Sequence, residues 1–362
     1  MSHGTIHRSH RLISMGSAAD WHAFLDEFRA FGGRAENVMH RKGAFGLGLF
    51  PIDPAKPVDL FVPDELLVPI ENLELQNETL VIKDDSSFPD GYGDWFRRYQ
   101  TNYSWGAEGR ENTLALEEGL KGLPDALRTL MKRVGLYNAE NRFPGNDFDQ
   151  ELMQRFIQTR CISRKEKRVM MPIIDLLNHA PAAKAYDMSG NGIAVGGIHD
   201  GEVLVKYSVS DPIRRLIAYG FNAPEPFGFS LSFRLQHQDR LVVVQGGGGR
   251  QPLKACVIEI KDDRIVIKQP LMASSISPKM PRTLFIKSCR SIEGINANEL
   301  FEQIHQRNTQ ALVQMMRELQ NLEGAVPQLL REGCLDQLVA LSHHFGQRDD
   351  LLAEETAVPA VT

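Results

Sequence analysis

The sequence predicts an α+β fold of small sheets, with a helical insertion and a mainly helical C-terminal region. Three observations carry that expectation. Short apolar runs broken by Gly and Pro fill residues 38–82 and return from Met170; helical periodicity occupies most of 84–162; and apolar stripes at helical spacing reappear from Leu300 onward. Apolar side chains recurring every three to four positions mark helix, and short β-rich runs between turn residues mark strands.

Over Asp20 to Phe31, the residues Trp21, Phe24, Leu25 and Phe28 stand at i, i+3, i+4 and i+7, and Gly32-Gly33 supplies a stop, so a short helix is expected. AFGLGLF, VDLFVP, ELLVPI and TLVIK then read as strands and turns. Leu114, Leu116, Leu120, Leu127, Leu130 and Val134 follow as helix divided in two by Pro124, and Phe148, Leu152, Phe156 and Ile157 mark a further helix. From Met170 the runs MMPIIDLL, GIAVGGI, EVLVKYSV, FSLSFRL, RLVVVQ, ACVIEI and RIVIKQPL read as β structure. Leu300, Phe301, Ile304, Leu312, Met315, Met316 and Leu319 line one late helical face, and Leu329, Leu330, Leu335, Leu338 and Val339 another, the methionines as core filling. The expected division is 1–83, a helical insertion 84–162, a returning β segment 163–235, a β-rich then helical region 236–352, and a disordered tail 353–362.

Composition restricts the function classes. With 46 acidic residues against 41 Lys plus Arg, the net charge of −5 gives no general drive toward nucleic acid or an anionic membrane. Cys161, Cys256, Cys289 and Cys334 are scattered without a CxxC pair, which argues against a zinc cluster or a disulfide framework and for a reducing compartment. No apolar run reaches the roughly 18–20 residues that span a bilayer, and MSHGTIHRSHR lacks the apolar core of a secretory signal. A cytoplasmic protein with no bound metal is expected.

Three segments carry chemistry. Gly46-Leu47-Gly48 lets backbone approach a ligand, although on its own a β-hairpin turn is the favoured account of it. In MMPIIDLLNHAP an apolar run ends in Asn178 and His179, which either bind a ligand or cap a turn. GEVLVKYSVSDPIRRLIAYGF leads from a strand through Tyr207 to Tyr219-Gly220-Phe221, where a packing aromatic at a chain reversal is the plain alternative.

In their order along the chain these segments resemble the SET-domain methyltransferases, of the RuBisCO large-subunit lysine methyltransferase type, in which a helical insertion splits the SET domain. The matching positions are Gly46-x-Gly48, Arg160, Pro172-x-x-Asp175-x-x-Asn178-His179, Tyr207 and Tyr219-Gly220-Phe221, across roughly residues 20–235. The resemblance implies that Gly46, Leu47, Gly48, Asn178 and His179 line an S-adenosylmethionine pocket, that Arg160 supports the cofactor's carboxylate end, and that Tyr219 is catalytic. It implies a structural or supporting role for Asp175. Tyr207, Tyr186, Phe229 and Phe233 are the aromatic candidates for the substrate channel. The implied partner is a protein presenting a lysine.

One departure is plain: where the family commonly has Ser-Asn before Tyr-Gly-Phe, this chain has Asp211-Pro212. That substitution favours the rival reading of a catalytically silent SET-like binding module, and a protein-histidine methyltransferase is a second alternative. Other signals are discounted. Gly246 to Gly249 lacks a GK[ST] ending and reads as a hairpin tip; His343-His344 point apart on a helix; Arg164, Lys165, Lys167 and Arg168 read as a solvated loop.

Overall fold

The computed structural model describes residues 18–137, 148–247, 254–261 and 264–342. The architecture is α+β, with helices and two- to four-stranded sheets. The chain divides into two compact units. One comprises Met1–Glu111, Met153–Asn178 and Tyr186–Val203; the other comprises Asn112–Leu152, His179–Ala185 and Leu204–Thr362.

In the first unit the helix Ala18–Ala30 fulfils the expected pattern, burying Trp21, Phe24, Leu25 and Phe28. Its partner is the helix Tyr92–Tyr103: Phe24 stacks on Trp95 at 4.8 Å, Trp95 on Tyr99 at 5.6 Å, and Trp21 meets Tyr103 edge-on at 4.8 Å. Such pairs add about 0.5–1.5 kcal/mol each beyond area burial. Each indole N–H finds a carbonyl, Trp21 that of Val38 and Trp95 that of Phe24.

The strands of this unit explain where the glycine turn sits. Val38–Gly43 and Gly46–Pro51 pair antiparallel, with Arg41 opposite Gly48 and Gly43 opposite Gly46. Gly46 takes φ +92°, a conformation that excludes most side chains, so the hairpin itself requires it. Val58–Pro63 lies between Arg34–Glu36 and Gly192–Gly197, while Val68–Pro69 pairs with Lys167–Met170. Strands from both sides of the helical stretch therefore share sheets.

The run MMPIIDLL is only briefly β. The strand stops at Met170, and Pro172, which has no N–H for a ladder, precedes Ile173 at φ 71°, ψ −53° and a single tight turn over Ile174–Leu176. A buried β-branched residue in that region is strained, and neighbouring hydrogen bonds hold it: Asp175 N–H to Met171 O at 2.9 Å and Leu176 N–H to Ile173 O at 3.2 Å.

In the second unit one large core joins Leu127, Leu130 and Met131 of the helix Asp125–Arg133 to Leu300, Ile304, Leu312 and Met315 of Ala297–Leu319 and to Leu330 and Leu338 of Ala325–Ser342. Pro124 separates Asp125–Arg133 from Arg110–Lys121, as its missing N–H predicts. Met315 is fully buried and Met316 packs against the same core.

The sheet of this unit corrects one expectation. Arg240–Gln245 pairs antiparallel with Phe233–His237 but parallel with Arg264–Lys268, and Val257–Lys261 lies beyond, on the edge. The strands flanking the Gly246 run are therefore not neighbours and do not form the expected hairpin; Gly248 and Gly249 lie outside the described residues. The strand Leu271–Ser274, paired with Phe227–Phe229, and the helix Met280–Cys289 were not anticipated from the sequence. His343-His344 and the tail 353–362 also lie outside the described residues. Among the described residues no helix is long and apolar enough to cross a membrane, and no cluster of three His, Cys, Asp or Glu could hold a metal.

Candidate functional site

In the first unit Asn178 meets the glycine turn. Its Nδ2 donates to Leu47 O at 3.0 Å and to Glu202 Oε1 at 2.6 Å. Both partners can only accept, so the orientation of the amide is fixed and Oδ1 faces away from them. Gly48 is buried, and a Cβ there would lie 2.2 Å from Glu202 Oε1 and 2.8 Å from Asn178 Nδ2. Gly46, Leu47, Gly48 and Asn178 are thus brought together, with Glu202 as an unanticipated member. Burial pushes the Glu202 carboxyl up, while the Asn178 hydrogen bond and the charge of Arg41 pull it down.

Arg160, at the C-terminal end of the helix Phe148–Arg160, donates through Nη1 to Asp175 O at 2.6 Å. The Asp175 carboxylate accepts hydrogen bonds from Tyr99 Oη and from Ser104 Oγ, and Tyr99 Oη in turn accepts from Ile173 N–H at 3.0 Å. Burial pushes the Asp175 carboxyl up to about 6, against the charge of Arg160 and the two hydroxyl hydrogen bonds. Asp175 thereby fastens the helix Tyr92–Tyr103 to the strained turn ahead of Asn178, a supporting position. Beside Trp21 and Tyr103, burial lowers His40 to about 4, the nearby Arg160 charge acts the same way, and Nε2 is buried with no hydrogen-bond partner among the described residues.

In the second unit His179 belongs to an aromatic cluster with Tyr207 at 5.1 Å and Phe221 at 6.1 Å; Tyr219 lies 5.2 Å from Tyr207 and 6.0 Å from Phe221. Tyr219 ends the helix Pro212–Tyr219, and Gly220 stops it at φ 81°, its N–H bonded to Leu216 O. His179 Nδ1 accepts from Tyr207 N–H at 3.2 Å, so the ring proton sits on Nε2 and is donated to Glu225 Oε1 at 2.9 Å. The same oxygen accepts from Arg215 Nε at 2.8 Å, and the Arg215 guanidinium lies 5.1 Å from the centre of the Tyr219 ring. A desolvated ion pair thus connects two residues that the sequence singled out.

Asp211-Pro212 has a structural occupation. The Asp211 side chain accepts from Arg214 N–H as N-cap and pairs with the Arg214 guanidinium, and Pro212 fills the first helical turn. The remaining aromatic candidates are dispersed. Phe229 is buried with Phe227 and Leu271, Phe233 packs against the large core, and Tyr186 belongs to the first unit.

Sequence reasoning missed Glu202, Arg215 and Glu225. None left a local signal: in the helix Pro212–Tyr219 Arg215 lies away from the Ile213, Leu216 and Ile217 stripe, where an arginine reads as solvated until Glu225 is seen beside it.

No family model matches this chain, and no curated protein does. Solved structures that bear a distant likeness include two of one kind. The SET domain of LSMT bound to lysine and AdoHcy is 12% identical with a TM-score of 0.37, over 94% of this chain and 92% of that one. Rubisco LSMT bound to sinefungin and monomethyllysine is 13% identical with a TM-score of 0.39, over the same shares of each chain.

Proposed function

We propose that this chain is a SET-domain methyltransferase that uses S-adenosylmethionine and modifies a lysine side chain of another protein. The observation that carries the reading is the Asn178 hydrogen bond to Leu47 O, which ties the glycine turn to the DLLNH segment 131 residues away. The motif resemblance named these two segments together from sequence order alone.

The residues fit such a cofactor. Gly48 carries no Cβ, Asn178 Oδ1 is held as an acceptor, and Arg160 has further N–H donors for a carboxylate beyond the one given to Asp175 O. When bound, the cofactor supplies a methyl group on a sulfonium. The chain's own task is to present a neutral amine. A free lysine near pKa 10.4 lies about 3.4 units above neutral pH, equivalent to about 4.6 kcal/mol. Burial among apolar rings disfavours the ammonium, and a nearby cation acts the same way. Tyr219 and Tyr207 orient the amine and exclude water, without a dedicated strong base.

Asp211-Pro212, the feature that favours a silent module, has a capping role of its own. The test is transfer of labelled methyl from S-adenosylmethionine to lysate proteins, followed by hydrolysis and amino-acid analysis. Methyllysine formed by the wild type and reduced at least ten-fold by Tyr219→Phe supports the reading. Methylhistidine would replace the acceptor, and no label would remove the activity.

A further inference from the structure

Glu202 stands outside every segment that pointed to the function, yet it occupies the inner side of the glycine turn. Its neighbour Val203 donates its N–H to Leu49 O at 2.8 Å, which holds the backbone against the strand Gly46–Pro51. From there the carboxylate reaches both ends of the hairpin. A Cβ at Gly48 would lie 2.2 Å from Oε1 and a Cβ at Gly43 2.9 Å from Oε2. Gly48 thus makes room for this carboxylate and for the Asn178 amide.

The charge of Glu202 has no direct counterpart. Its hydrogen-bond donor is the neutral Asn178 amide, and among the described residues no Lys, Arg or His forms an ion pair with it. Arg41 acts on it only through space, and its guanidinium lies 3.5 Å from the centre of the Phe50 ring. A half-buried carboxylate held against the glycine turn with only a neutral amide as its hydrogen-bond donor attracts a cation, because partial burial weakens solvent screening. A carboxylate kept only to bind Asn178 would be dispensable as a charge, since a neutral carbonyl could accept the same hydrogen bond.

We propose that Glu202 is the counter-charge for a cationic group, ammonium or sulfonium, of the ligand held at the Gly46–Gly48 turn. The inference rests on the methyltransferase reading for the identity of that ligand. It makes Glu202 a specificity residue: the pocket selects for positive charge and rejects neutral adenosine thioethers.

Glu202→Gln keeps the shape and an acceptor for Asn178 and removes only the charge. Calorimetric titration of the full-length wild type and this variant uses three ligands: S-adenosylmethionine with both cations, S-adenosylhomocysteine with the ammonium alone, and 5′-methylthioadenosine with neither. The variant is expected to bind S-adenosylmethionine about ten-fold more weakly, with 5′-methylthioadenosine unchanged. An equal loss for S-adenosylhomocysteine assigns the ammonium; no loss for it assigns the sulfonium. All three ligands unchanged, or all three weakened alike, overturns the inference while leaving the methyltransferase reading intact. Failure of the wild type to bind any of them overturns both. If Glu202→Gln does not fold, Glu202→Ala serves with the same three ligands: it must weaken S-adenosylmethionine more than 5′-methylthioadenosine, and a parallel loss refutes the proposal.

Discussion

His179 Nε2 lies 2.9 Å from Glu225 Oε1, and neither side chain is more than 2% exposed. Glu225 also neutralises Arg215, which is equally buried. Removing one member of a buried pair strands the other charge. Glu225→Ala is therefore expected to cost about 3–5 kcal/mol in denaturant unfolding. The double variant Glu225→Leu with Arg215→Met should recover most of that loss, because it leaves no charge behind. A Glu225→Ala variant within about 0.5 kcal/mol of wild type would show that water replaces the pair.

Asp175 gives stability a pH dependence of defined sign. Its carboxyl is raised to about 6 in the folded chain, so between about pH 4 and 6 the native state holds more protons than the unfolded state. Its contribution is present at low pH and lost as pH rises through 6. Asp175→Asn keeps an acceptor for Tyr99 and removes the titration, so the stability of the variant relative to wild type should rise by about 2–3 kcal/mol across that interval. His40, lowered to about 4, acts in the opposite sense, its contribution being lost as pH falls from about 6.5 to 4. The two effects partly cancel in the wild type, so unfolding curves at several pH values must compare Asp175→Asn with wild type directly. A difference that does not change with pH would refute the assignment.

Gly48→Ala tests the close approach at the turn. A Cβ placed 2.2 Å from Glu202 Oε1 and 2.8 Å from Asn178 Nδ2 must displace both of them. The expected result is a loss of S-adenosylmethionine affinity of at least ten-fold with a smaller effect on melting temperature. Unaltered affinity in Gly48→Ala would mean that the turn yields without consequence.

Much of the local structure was legible in the sequence because it depends on short-range pattern. The apolar spacing of Trp21, Phe24, Leu25 and Phe28 gave the first helix, and the missing N–H of Pro124 gave the break between two later ones. The DLLNH and YGF segments were visible because several residues of a known pattern occur in order. What escaped depends on distant partners. Glu202 and Glu225 read as surface charges until Asn178, 24 residues away, and His179, 46 residues away, are seen beside them. The parallel pairing of Arg240–Gln245 with Arg264–Lys268 cannot be told from adjacent hairpins by alternation alone. Asp211-Pro212 read as a loss at the site because the family pattern was applied to a position that here caps a helix.

The most direct test of the central claim is calorimetric titration of the full-length chain with S-adenosylmethionine, repeated on Asn178→Ala. The account predicts one binding event per chain, weakened at least ten-fold by the substitution, since Asn178 links the turn at Leu47 to the DLLNH segment. Absence of heat at millimolar ligand, or equal affinity in both proteins, would contradict it.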